Sequence, residues 1–179
     1  MKLLALLLMA SAFNAEAAIY NSKAIVHPEV GKNGMVVSQH YLATNAGHSI
    51  LAEGGNAYDA SIAVAFALAV VLPRAGNIGG GGFMVMFDEA SQESYSIDYR
   101  EIAPEAATKN MFLASDGSVD KKRATQGILS IGVPGTVYGM WEVHKKFGSL
   151  PWSELLAPAI ELAEDGFLIS PFMADALNK

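Results

Sequence analysis

The sequence predicts an α+β fold. Three observations carry that expectation. A segment apolar nearly all round, Ala57 to Leu72, has helical length and lies between a capping residue and a proline. Two short runs, Gly82 to Phe87 and Glu93 to Arg100, flank a polar turn of hairpin size. Two later segments, from Pro134 and from Pro151, carry helix start and stop residues.

Taken in order, Ala18 to Lys32 is mixed and polar and predicts an extended lead-in. Gly34-Met35-Val36-Val37-Ser38 predicts a short buried strand. A helix is expected from Thr44 as N-cap to Glu53, stopped by Gly54-Gly55. Asn56 can cap the next helix, with the Asp59 carboxylate facing its positive end. That helix is apolar nearly all round, so it belongs in a protein core or a membrane. It is too short to span a bilayer, and its alanines favour close packing in a core. In this chain alone it is expected to leave a large apolar surface uncovered.

In the second strand, Tyr95, Ile97 and Tyr99 alternate with Ser96, Asp98 and Arg100, which puts Asp98 and Arg100 on one face. Ala103 to Gln126 is polar and turn-rich and predicts a surface excursion. The helix near Pro134 ends with Lys145 and Lys146 before Gly148, cations suiting its negative end. The helix from Pro151 to Asp165 contains Pro158, which predicts a kink. Ser170 and Pro171 start a last helix just before the chain stops.

The chain has 179 residues and a net charge of −6. An acidic chain without basic clusters is a poor fit to nucleic acid. It contains no cysteine, which excludes disulfides and thiolate metal sites. His27, His40, His48 and His144 lack metal-ligand spacing, so no metal site is expected. Met1-Lys2, the apolar run Leu3 to Phe13 and Ala15-Glu16-Ala17 together predict a secretory signal peptide over residues 1–17. The expected location is therefore secreted or periplasmic, with no stable membrane anchor. Residues 18–33 form the lead-in and 34–179 the body.

The run Gly79, Gly80, Gly81, Gly82 supplies backbone without Cβ atoms. Its spacing matches neither the dinucleotide fingerprint nor the phosphate loop. Two readings remain: a tight turn with close packing, or a backbone wall of a substrate pocket. Arg100 offers a planar, permanently charged fork suited to a carboxylate. Its plain alternative is an ion pair with Asp98 or Glu101 at a sheet edge.

Three ordered motifs, Asn77-Ile78-Gly79-Gly80-Gly81-Gly82-Phe83, Ile97-Asp98-Tyr99-Arg100-Glu101-Ile102-Ala103-Pro104 and Gly132-Val133-Pro134-Gly135-Thr136-Val137, resemble the front part of γ-glutamyltranspeptidase (glutathione hydrolase). The likeness runs from Gly34 to the end. It implies the N-terminal-nucleophile hydrolase fold, an αββα four-layer arrangement, present here as an incomplete N-terminal portion. It implies that Arg100 binds the α-carboxylate of a γ-glutamyl donor such as glutathione, with Asp98 and Glu101 as candidates to orient the guanidinium. It implies a self-cleaving precursor that transfers γ-glutamyl to water or an amino acid, without metal or organic cofactor. The family nucleophile is an N-terminal threonine in a Thr-Thr-His-Tyr-type motif. None of Thr44, Thr108, Thr125 and Thr136 stands in such a setting, so this chain alone is expected to be inactive and to need the remaining, small-subunit portion of the precursor as its partner. The alternatives are a cephalosporin-type acylase of the same fold, or a non-catalytic periplasmic binding module or degenerate gene product.

Overall fold

Asn56 and Asp59 start the central helix by satisfying each other's end of the chain. The Asn56 side chain accepts from the Tyr58 and Asp59 amides, and the Asp59 carboxylate accepts from the Asn56 amide. This reciprocal capping removes amides that the first helical turn cannot pair internally. A computed structural model describes residues 29–178 of the chain. The expected signal peptide and His27 lie outside the described residues. The chain divides into two units, Met1–Asn33 and Gly34–Lys179, and every element below belongs to the second.

The elements in chain order are α1 (Tyr41–Ala52), α2 (Ala57–Val71), β1 (Phe83–Asp88), β2 (Glu93–Asp98), α3 (Lys121–Thr125), a 3-10 turn at Ile128–Ser130, α4 (Thr136–Phe147), α5 (Trp152–Asp165) and α6 (Pro171–Leu177). Helix α2 is the core element. Its Ala60, Ile62 and Ala63 join Ile50, Met140, Val143 and Leu155 in one buried cluster. Its Ala67 and Val71 join Ala43 and Ala46 of α1 in a second. The small residues bring α1 and α2 close: a Cβ at Gly47 would stand 2.6 Å from a Val64 methyl.

β1 and β2 form an antiparallel hairpin with Phe83 opposite Asp98 and Asp88 opposite Glu93. Met84 and Met86 of β1, with Ile97 and Tyr99, pack on the core cluster. The Asp88 carboxylate caps the turn by accepting from the Ser91 amide and hydroxyl, which hold it below its ordinary carboxylate range.

Several expectations are corrected. Gly34 to Ser38 forms no strand: Val36 packs on the core, but Met35 and Val37 face solvent, and no described strand lies alongside to complete a ladder. Helix α1 starts at Tyr41 rather than beyond Thr44, because the His40 imidazole accepts from the Leu42 amide. The Thr44 hydroxyl is bonded instead to Ser38. Helix α4 starts at Thr136, two residues after Pro134, and its otherwise unpaired Gly135 and Thr136 amides donate to the Gly80 carbonyl. Helix α5 spans Trp152–Asp165 with Pro158 inside it, where the sequence places that proline. The excursion after Ala103 contains a short helix, α3, capped by Asp120. Ser170 caps α6 through the Met173 amide, as its sequence predicts.

Candidate functional site around Arg100

The backbone from Tyr99 to Ile102 leaves β2 and is held by three neighbours. The Tyr99 amide donates to Gly82 at 2.9 Å. Ile102 and Val133 exchange amide bonds in an isolated antiparallel bridge, at 3.3 and 2.8 Å. The Gly80 carbonyl accepts from Gly135 at 2.8 Å and Thr136 at 3.1 Å, tying the glycine run to the start of α4. All three motifs thus converge on the four residues around Arg100.

Close approach explains the glycines. A Cβ at Gly81 would stand 2.5 Å from the Tyr99 carbonyl oxygen and 2.6 Å from the Arg100 Cα, closer than real Cβ atoms come. One at Gly82 would touch the Tyr99 ring at 3.0 Å, and one at Gly80 the Asn77 amide oxygen at 2.6 Å. Gly79 is different: it is exposed and lines an apolar groove between α2 and α5, with Ile78, Phe66 and Ile160. Of the four, Gly80 to Gly82 carry the packing reading and Gly79 borders the groove.

Arg100 is exposed, with its guanidinium 5.8 Å from the centre of the Phe83 ring, within cation–π range. The ion pairs within 4.0 Å among the described residues are Arg123 with Asp120 and Lys145 with Glu142; Arg100 is in neither. Asp98 accepts from the Arg100 amide at 3.0 Å, so it fixes the backbone of the arginine and not its fork. Glu101 is exposed and its stem lies against Gly132. Among the described residues no carboxylate takes up the guanidinium donors, and the residue is exposed.

Tyr99 has no place among the residues singled out from sequence, yet it lies at the centre. Its ring packs on the main core cluster, its hydroxyl points to the Phe83 carbonyl at 3.5 Å, and burial raises its phenol above the ordinary value. Gly139, one helical turn beyond Gly135, receives the base of that ring. The four-residue spacing of two glycines on one helix face was the available signal.

A family model described as Gamma-glutamyltranspeptidase matches residues 43–179. The glutathione hydrolase proenzyme of Pseudomonas aeruginosa is 50% identical over 137 residues, which is 76% of this chain and 24% of that protein. Among solved structures, the γ-glutamyltranspeptidase of Helicobacter pylori superposes with a TM-score of 0.80 at 50% identity, covering 85% of this chain and 43% of that one. A cephalosporin acylase from Bacillus halodurans superposes with a TM-score of 0.69 at 30% identity, covering 88% and 30%. The mixed helical and sheet architecture built around the Arg100 loop is thus shared with these enzymes over part of their length. The chain belongs to the γ-glutamyltranspeptidase family, and it spans about a quarter of the length of the curated relative it matches at 50% identity.

Proposed function

We propose that this segment serves a glutathione hydrolase or γ-glutamyltransferase, and that Arg100 holds the α-carboxylate of the γ-glutamyl donor. The observation that carries the reading is an exposed guanidinium without a carboxylate partner among the described residues, on a backbone pinned from both sides. A planar fork with free donors binds a carboxylate through paired charge-assisted hydrogen bonds. On this reading β1 and β2 belong to one sheet of an αββα N-terminal-nucleophile core. The threonine nucleophile lies outside this chain, which supplies substrate recognition but no reaction centre. Residues 1–17 serve export and 18–33 lead into the body.

The test is Arg100→Ala in the full-length polypeptide carrying this segment. Removing one partner of such a pair costs about 2–5 kcal/mol. At about 1.4 kcal/mol per tenfold, kcat/KM falls by roughly 30- to 4,000-fold. Lysine rescues in part, as a charge without the fork. A donor amidated at its α-carboxylate is the control: the parent discriminates against it and Arg100→Ala does not. A variant that keeps the parental preference sinks the assignment. In the same assay residues 18–179 alone release no product. The acylase alternative rests on the Bacillus halodurans match at 30% identity, against 50% for the transpeptidase. Turnover of a glutaryl amide in preference to a γ-glutamyl amide would favour it.

A further inference from the structure

We infer that Gly135, the N-cap of α4, and Gly139, in its first turn, are positioning residues for Arg100 that act through Tyr99; the inference rests on the donor-carboxylate reading of Arg100. Tyr99 and Arg100 lie between two elements that come too close for any side chain. On one flank Gly81 meets the Arg100 Cα and the Tyr99 carbonyl. On the other, a Cβ at Gly135 would overlap the Tyr99 carbonyl oxygen, stand 2.8 Å from its carbon and 3.1 Å from the Arg100 carbonyl oxygen. A Cβ at Gly139 would overlap the root of the Tyr99 ring and stand 2.5 Å from its Cβ.

The obstacles at Gly135 are backbone atoms, which cannot swing aside as a flexible side chain does. The backbone itself is fixed at both ends, by the Tyr99 amide on Gly82 and the Ile102 bridge to Val133. The Gly80 carbonyl, taking two amides from the start of α4, keeps the two flanks together. A methyl group at Gly135 or Gly139 must therefore displace Tyr99 and carry Arg100 with it. Among the described residues the guanidinium of Arg100 lies over the Phe83 ring and forms no ion pair, so its fork follows its Cα. An arginine clamp works by holding a reacting group in one place, and a misplacement of about 1 Å costs on the order of 10²-fold in rate.

The experiment uses the full-length polypeptide carrying this segment and two γ-glutamyl anilides, one with a free α-carboxylate and one amidated there. Gly135→Ala and Gly139→Ala are expected to lower kcat/KM for the free-carboxylate donor by roughly 10- to 100-fold and to pull the preference between donors towards one. Gly117→Ala is the comparison for lost stability alone: its φ of 82° strains an alanine, but nothing lies within 4 Å of the added methyl. It should keep the parental preference. Tyr99→Leu serves where the glycine variants do not fold, since it adds no bulk and removes the ring seated on Gly139; it too should lose the preference. Gly135→Ala, Gly139→Ala or Tyr99→Leu with the parental preference, while Arg100→Ala has lost it, overturns the positioning role. An Arg100→Ala enzyme that keeps the preference instead removes the reading beneath it, and the inference with it.

Discussion

Asp59 is fully buried, and its carboxylate accepts hydrogen bonds from two residues. Besides the Asn56 amide it accepts from the Ser149 amide, 3.2 Å from each carboxylate oxygen, and from the Ser149 hydroxyl. A buried charge is tolerable when its lone pairs are met by hydrogen bonds. The Asn56 side chain also donates to the Phe147 carbonyl at 2.7 Å, so the start of α2 is locked to the end of α4. Asp59→Ala would leave buried donors unpaired at a cost of roughly 2–3 kcal/mol, whereas Ser149→Ala keeps its amide bond and costs about 1 kcal/mol. The melting midpoint of the full-length polypeptide should fall in that order. Equal midpoints for Asp59→Ala and the parent would contradict the account.

At the scale of elements, the sequence pointed to α2 as the surface left uncovered; the structure keeps part of α2 on the apolar groove beside α5 and exposes a second apolar stripe on the hairpin. Helices α1, α4 and α5 cover much of α2, whose small residues admit them closely. On β1 the inward Met84 and Met86 are packed, while the outward Phe83, Val85 and Phe87 are 64%, 82% and 55% exposed. Their partners across the ladder are Asp98, Ser96 and Ser94, too polar or small to shield them. A stripe of this kind, beside unpaired strand edges, invites association. Residues 18–179 alone should bind a hydrophobic dye and self-associate. Val85→Lys should reduce both without disturbing the packed face. A monodisperse, dye-silent chain with a sharp melt would overturn this expectation.

For the whole molecule, the family relation and the short span of the chain meet at the question of location. A leader over residues 1–17 predicts that the mature N-terminus begins at Ala18 or one residue later. Mass spectrometry of the exported product decides it: an intact Met1 on a soluble cytoplasmic chain would refute export.

The residues by themselves determined the α+β class, the Asn56 and Ser170 caps, the hairpin and its alternation. These depend on neighbours a few positions apart, and short-range hydrogen bonding and periodicity set them. The motifs that contain Arg100 and the glycine run were legible too, though not their meeting in space. Only the tertiary structure decided what the motifs do to one another. It turned Asp98 from a partner of the guanidinium into a bond to the Arg100 amide, and it divided the glycine run between packing and a groove wall. It also brought Tyr99 to the centre, seated between Gly82 and a pair of glycines that follow it by 36 and 40 positions. Close approach of distant backbone leaves no local pattern, because its physical content is the absence of a side chain at a place where another segment passes.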